Sequence, residues 1–233
     1  MIVLALDTST REGSCAIARD GEVREEAGDA GRSQAEQLPH LLMSLLDRNG
    51  LSLGDVDVFA VATGPGSFTG LRVGIAAMQG LAFATAKPLL GVSALDALAA
   101  IAAADSHRER GGATPRPVAT WIDAWRGEVY AALYSEGREI EAPTVESPAA
   151  VLARLRDRPP LLIGDAVPIY ADLIRRTLPA AAIAEPAAPL LAGMVARLAL
   201  ASARAGHRPE PDAIRPLYVR RSDAEISRDA RAV

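Results

Sequence analysis

A glycine-rich stretch, residues 63–74 (TGPGSFTGLRVG), has the residue types of a turn that can hold an anion. The apolar run at residues 56–62 before it is typical of a strand, and apolar and small residues recur at helical spacing over residues 71–86. The stretch is therefore predicted to join a strand to a helix, whose first N–H groups attract an anion or a polar group of a partner. The residues predicted to shape and cap this turn are Gly64, Pro65, Gly66, Ser67 and Gly70.

The spacing within this stretch excludes three familiar chemistries. A Walker phosphate-binding loop needs a lysine beside its last glycine, but the chain's only lysine, Lys87, lies at the far end of the predicted helix. In a dinucleotide-binding fingerprint the third glycine falls at Thr69, where this chain has none. Ser67 lacks the glycine spacing of a nucleophile elbow and has no histidine near it in the motif, so we interpret it as a helix cap.

Two aspartates occupy matching places in two predicted hairpins. Asp7 ends the apolar run at residues 2–6, and Asp123 lies near the turn of a second hairpin, VATWIDAWRGEVYAALY. Each aspartate is predicted to cap its turn. The repetition of strand, aspartate, turn and returning strand indicates a duplicated fold.

Composition narrows the class of protein. With 233 residues and a net charge of −4, the chain can bury a sizeable core and lacks the bulk positive charge of a protein that binds nucleic acid alone. The single cysteine, Cys15, excludes an internal disulfide and a cysteine zinc cluster. No H-x-x-x-H pair and no long uncharged apolar segment occur, so we expect a cytoplasmic protein without a metal site of that kind or a membrane contact.

The order of the predicted elements suggests two lobes. We expect a first lobe at residues 1–93, a second at residues 94–218, and a polar tail at residues 219–233. The last long helix, predicted at residues 190–205, is expected to pack back toward the first lobe.

Five segments, VLALDTST, GPGSFTGLRVG, IDAWRGEVY, IGDAV and RPLYVR, together resemble the TsaB (YeaZ) family over nearly the whole chain. The resemblance implies an α/β, two-lobed actin-like or sugar-kinase-like (ASKHA) fold with duplicated ribonuclease-H-like lobes. It also implies a non-catalytic scaffold and activator of the complex that adds threonylcarbamoyl to the adenosine next to the anticodon of certain tRNAs.

The same resemblance implies the partners. The chain is expected to pair with TsaD, to work with the ATPase TsaE, to meet tRNA through the complex, and to form a homodimer when alone. ATP and metal are expected on TsaD and TsaE rather than on this chain. Two other classes remain as alternatives: an autonomous ATPase or phosphotransferase of the actin-like fold, and a metalloprotease-like hydrolase.

The hairpins argue against nucleotide binding by this chain. ATPases of this architecture hold phosphate on the backbone N–H groups of glycine-rich hairpins. Here Thr8-Ser9-Thr10 follows Asp7, Ala124-Trp125-Arg126 follows Asp123, and Gly164 stands alone before Asp165. We therefore expect no tightly bound cofactor.

Two predicted helices carry more apolar surface than one contact needs. The first spans residues 33–49 and the second follows the glycine-rich turn, so we expect them to present an apolar surface to TsaD or to a second copy. Which side of each helix faces inward is left open. The residues assigned to this interface are Leu38, Leu41, Leu45, Phe68, Leu71, Arg72, Ile75 and Met78.

Overall fold

The structure is a computed structural model, and it describes residues 1–29, 34–109 and 116–219. The first lobe contains one mixed sheet and two helices. Its strands are β1 (Ile2–Asp7), β2 (Ser14–Arg19), β3 (Glu22–Ala27), β4 (Val58–Gly64) and β5 (Leu89–Ser93), and its helices are α1 (Gln34–Arg48) and α2 (Phe68–Thr85). The strand order is β3-β2-β1-β4-β5, antiparallel from β1 to β3 and parallel from β1 through β4 to β5.

The second lobe repeats this arrangement. Its helices are α3 (Ala94–Glu109), α4 (Pro148–Arg154), α5 (Ala166–Ile169) and α6 (Ala171–Thr177), and its strands are β6 (Val118–Asp123), β7 (Val129–Ser135), β8 (Arg138–Glu146), β9 (Leu161–Ile163) and β10 (Ala182–Ile183). The order β8-β7-β6-β9-β10 matches that of the first sheet strand for strand. The duplication predicted from the two aspartate hairpins is therefore confirmed.

The two faces of the first sheet are covered by helices from opposite ends of the chain. Helices α1 and α2 pack on one face, where the core contains leucines, Phe59, Ile75 and Met78. Helix α7 (Ala192–Arg204) packs on the other face, where alanine and valine side chains let it approach closely. None of the helices in the described ranges is long and apolar enough to cross a membrane.

The first strands of the first lobe hold the N-terminus of α7. Ser14 Oγ accepts a hydrogen bond from the N–H of Ala192 at 3.0 Å, and Glu25 Oε1 accepts one from the N–H of Gly193 at 2.8 Å. A carboxylate at a helix N-terminus is stabilised by the helix dipole. Burial nevertheless raises the pKa of Glu25, and these hydrogen bonds oppose that shift. The last long helix is thus fixed to the first lobe by two side chains as well as by its apolar face.

Element boundaries differ by a few residues from those expected. Strand β4 is shifted by two residues from the predicted 56–62, and α7 begins at Ala192 rather than at the predicted residue 190. The expected start of the first helix at Ser33 lies outside the described residues, as does the tail expected at 219–233 apart from Val219.

Candidate functional site

The glycine-rich turn is shaped by the loop between β1 and β2. The N–H of Ser67 donates to the carbonyl oxygen of Ser9 at 2.8 Å. A Cβ added at Gly66 would lie 2.3 Å from that same oxygen, and one at Gly70 would lie 2.2 Å from the carbonyl oxygen of Thr8. The absence of side chains at these glycines therefore allows the loop to approach closely, and the side of α2 that carries Gly70 faces this loop.

Ser67 caps α2 as predicted. Its Oγ accepts a hydrogen bond from the N–H of Gly70 at 3.2 Å. Across the described ranges no group of three histidine, cysteine or acidic side chains is arranged to hold a metal ion. The turn thus contributes to the structure through its backbone, without the features of a nucleophile or a metal site.

The cleft between the lobes contains the paired aspartates. Asp7 accepts hydrogen bonds from the N–H and hydroxyl of Ser9 and from the hydroxyl of Thr10, at 2.5 to 2.8 Å. Asp123 Oδ1 accepts from the N–H of Trp125 at 2.9 Å. Both aspartates cap their turns, which confirms the prediction from sequence.

A third aspartate links the two lobes. Asp165 Oδ1 accepts a hydrogen bond from the N–H of Asp123 at 3.0 Å, and its carboxylate also accepts from the backbone N–H of Arg11 in the first lobe. Burial raises the pKa of Asp165 to about 6, and the carboxylates of Asp7 and Asp123 add to this shift while the two hydrogen bonds oppose it. An internal carboxylate thus occupies N–H groups from both hairpins, where a related ATPase would need free donors for phosphate.

The cavity beside Asp165 is acidic. Its volume is about 380 Å³, and the carboxylates of Glu12, Asp123 and Asp165 line it together with one cation, Arg11. A polyphosphate placed here meets like charges at close range. The cleft therefore has the size of a small-molecule site and an excess of negative charge.

The structure corrects the orientation of the expected partner surface. Most of the side chains assigned to it are buried within the first lobe, because the apolar sides of α1 and α2 pack on the sheet and on each other. The buried residues are Leu38, Leu45, Leu71, Ile75 and Met78, Leu41 is partly buried, and Phe68 and Arg72 are exposed.

One side of α2 faces solvent. It carries small side chains, with Thr69, Ala76 and Gly80 on its exposed line and Phe83 at its C-terminal end, 59% exposed. Arg72 is the only charged residue of the helix. On α1 the neighbouring exposed residues include His40 and Met43. A helix face with small side chains and a single charge is suited to close packing against another helix.

Three exposed side chains meet at the N-terminal end of this face. The Phe68 and Tyr218 rings lie 5.3 Å apart, the Arg72 guanidinium carbon lies 3.9 Å from the centre of the Phe68 ring, and Arg72 Nε donates to Tyr218 Oη at 3.1 Å. Sequence reasoning missed Tyr218. The segment RPLYVR that contains it was part of the resemblance, but nothing in its composition indicated contact with α2.

Comparisons with known proteins agree with this structure. A family model described as TsaD, tRNA N6-adenosine threonylcarbamoyltransferase, matches residues 27–160. The chain is 32% identical to the tRNA threonylcarbamoyladenosine biosynthesis protein TsaB of Haemophilus influenzae, over 80% of this chain and 81% of that protein. It is 37% identical to TsaB of Escherichia coli, over 61% of this chain and 62% of that protein.

A solved structure has the same fold. YeaZ from Pseudomonas aeruginosa superposes with a TM-score of 0.72 at 32% identity, covering 93% of this chain and 99% of that one. The two matching sheets form the actin-like, two-lobed fold that the resemblance implied. The chain belongs to the TsaB (YeaZ) family.

Proposed function

We propose that this chain is a non-catalytic subunit in the synthesis of threonylcarbamoyladenosine in tRNA, and that it acts by pairing with a TsaD-type protein. The names of its relatives in Haemophilus influenzae and Escherichia coli support the pathway. The observation that carries the proposed role is the exposed face of α2, which has small side chains and a single charge, since such a face is suited to packing against a second helix.

A TsaD-type protein fits this surface. The TsaD family model covers the part of the chain that contains α1 and α2, so a TsaD-type protein carries counterparts of both helices. Two related helix pairs can pack across a pseudo-twofold axis, which buries both faces at once. In the absence of that protein, a second copy of this chain offers the same surface, so we propose a homodimer for the isolated chain.

The remaining parts of the complex follow from this role. We propose that ATP and metal are bound by the TsaD-type protein and the ATPase TsaE, and that tRNA is met through the assembled complex. The acidic cleft described above supports this division of labour, because its carboxylates repel a phosphate and Asp165 already accepts a hydrogen bond from the N–H of Asp123. The autonomous ATPase and the metalloprotease-like hydrolase are both less well supported.

The surface can be tested with two adjacent substitutions of the same kind. Ala76→Glu places a charge on the exposed face of α2, so we expect a folded chain that no longer co-purifies with its TsaD-type partner from the same organism. Ile75→Glu places the charge in the core, where the residue is 4% exposed, so we expect an unfolded chain. Circular dichroism reports folding and size-exclusion chromatography of the mixed proteins reports pairing. Wild-type pairing of a folded Ala76→Glu variant would contradict the proposal.

Titration calorimetry tests whether the cleft of the isolated chain binds a nucleotide. Titration of the isolated chain with Mg-ATP should give no measurable heat of binding at micromolar concentrations, because Asp165 already occupies the N–H groups of Arg11 and Asp123 and carboxylates line the cavity. A dissociation constant near 1 µM, equivalent to about 8 kcal/mol of binding free energy, would favour the autonomous ATPase instead.

A further inference from the structure

The cluster formed by Phe68, Arg72 and Tyr218, here called the aromatic–arginine cluster, is held in place by the segment that contains Tyr218. Residues 211–219, here called the C-terminal strap, run along one side of α2. Gln79 Nε2 donates to the carbonyl oxygens of Pro211 at 2.9 Å and Ile214 at 3.3 Å. These hydrogen bonds hold the strap against the middle of α2, two turns from Arg72.

A second contact fixes the strap next to the cluster. The N–H of Leu217 donates to the carbonyl oxygen of Thr63 at 2.7 Å, which adds a backbone hydrogen bond at the end of β4. Tyr218 follows directly and is 46% exposed, while Phe68 is 39% exposed. The two rings are thus held in place and remain accessible, a combination that lowers the entropy lost when a partner binds.

The arginine of the cluster is oriented and incompletely paired. Its Nε–H is used by Tyr218 and one side of its guanidinium stacks on Phe68, while neither terminal nitrogen has a hydrogen-bond partner among the described residues. In residues 1–29, 34–109 and 116–219, no carboxylate forms an ion pair with Arg72. A guanidinium held in this way presents a fork that matches a carboxylate in two hydrogen bonds.

We infer that the aromatic–arginine cluster is an anchor for the partner, and that Arg72 pairs there with an aspartate or glutamate on the partner helix that crosses α2. The inference rests on the proposed function and adds the residue that determines which helix is accepted. Phenylalanine, tyrosine and arginine are the side chains enriched in protein interfaces, the latter two especially at their energetic centres. A protein partner fits better than RNA, because the exposed face that continues from the cluster has no further cation to meet phosphates.

The charge pair makes a measurable prediction about salt. With the TsaD-type partner of the same organism, Arg72→Gln should weaken binding in titration calorimetry by at least about tenfold at low salt. It should also flatten the dependence of the dissociation constant on salt concentration between about 50 mM and 300 mM, a range over which salt increasingly screens exposed charges. Arg197→Gln is the matched control, since it removes the same charge from the exposed side of α7, on the opposite face of the first sheet. It should leave both quantities unchanged.

Tyr218 is a positioning residue in this scheme. Tyr218→Phe keeps the ring beside Phe68 and removes only the hydroxyl that orients Arg72, so binding should weaken by a smaller factor than in Arg72→Gln. Because the hydroxyl acts through Arg72, the double variant should bind no more weakly than Arg72→Gln alone. Additive losses would show that Tyr218 has a purely structural effect.

The outcomes separate this inference from the proposed function. If Ala76→Glu abolishes pairing while Arg72→Gln keeps wild-type affinity and salt dependence, the anchor is wrong and the partner surface stands. If Ala76→Glu also pairs normally, the surface itself is wrong. If Arg72→Gln leaves partner binding unchanged but weakens the binding of tRNA to the complex, the cluster contacts nucleic acid and the inference is overturned.

Discussion

Replacing Gly70 with alanine should destabilise the chain by about 3 kcal/mol, the upper end of the range for overpacking a core. The added Cβ would lie 2.2 Å from the carbonyl oxygen of Thr8. That oxygen belongs to a loop held by the carboxylate of Asp7 and by the hydrogen bond from Ser67 to Ser9, so it cannot move without breaking these contacts. Urea denaturation followed by circular dichroism measures the free energy of unfolding.

The same helix provides a matched control. A Cβ added at Gly80 meets nothing within 4 Å, so Gly80→Ala should stabilise the isolated chain by about 1 kcal/mol, the difference in helix propensity. At Gly74 the obstacle is a side chain, Thr8 Oγ1 at 2.1 Å, and in the part of the chain that the structure describes that hydroxyl has no hydrogen-bond partner. Thr8→Ala should therefore relieve part of the loss in Gly74→Ala and none of the loss in Gly70→Ala. Equal stability of the Gly70→Ala and Gly80→Ala variants would contradict this account of the motif.

Asp165→Asn should make the chain more stable at neutral pH. The pKa of Asp165 is raised from 3.8 to about 6 in the folded chain. A raised pKa means that the ionised form is disfavoured on folding, so the stabilisation from the protonated carboxyl is complete below pH 3.8 and is lost as pH rises through 6. Asparagine avoids this loss, worth up to about 3 kcal/mol. The measurement is the difference in unfolding free energy between the variant and the wild type from pH 4 to pH 8.

Comparison with alanine separates charge from hydrogen bonding. Asparagine keeps an oxygen that can accept from the N–H groups of Asp123 and Arg11, whereas Asp165→Ala leaves both without an acceptor. Asp165→Ala should therefore lose about 1 to 3 kcal/mol relative to Asp165→Asn at every pH. A difference between Asp165→Asn and wild type that does not change with pH would mean that the carboxyl is not destabilised by burial.

Local sequence signals predicted the turns and the duplication well. Ser67 as a cap and Asp7 and Asp123 as turn-capping residues follow from the hydrogen-bonding habits of short polar side chains, which depend on neighbours within three residues. The repeated hairpin predicted two related lobes because each repeat carries its own strand pattern.

The orientation of α2 could not be obtained in this way. The helix has apolar or small residues on every side, so periodicity gives no direction for the core. The large side chains of Leu71, Ile75 and Met78 were assigned to a partner, but they fill the space above the sheet. The face left for a partner is instead the one with small side chains, such as Ala76, and only the packed structure distinguishes the two.

Contacts between segments far apart in the chain could not be predicted from the sequence either. The carboxylate of Asp165 meets the backbone of Arg11, and Tyr218 meets Arg72, in each case across most of the chain. No spacing rule applies at such separations, because these pairs depend on how the two lobes and the C-terminal strap close together. The sequence signal available for Tyr218 was only its place in a shared motif.

The attachment of α7 to the first lobe has a consequence for how the chain is made. During synthesis the strands of the first lobe emerge long before residues 192–204, so in the nascent chain the sheet face lined by Val3, Ala5, Val58 and Ala60 lacks the cover that α7 provides. The acceptors Ser14 Oγ and Glu25 Oε1 likewise lack their donors, the N–H groups of Ala192 and Gly193, until α7 has been synthesised. The first lobe therefore cannot complete this part of its core until residues 192–204 have been synthesised, and until then the sheet exposes apolar side chains of the kind that make folding intermediates prone to aggregate.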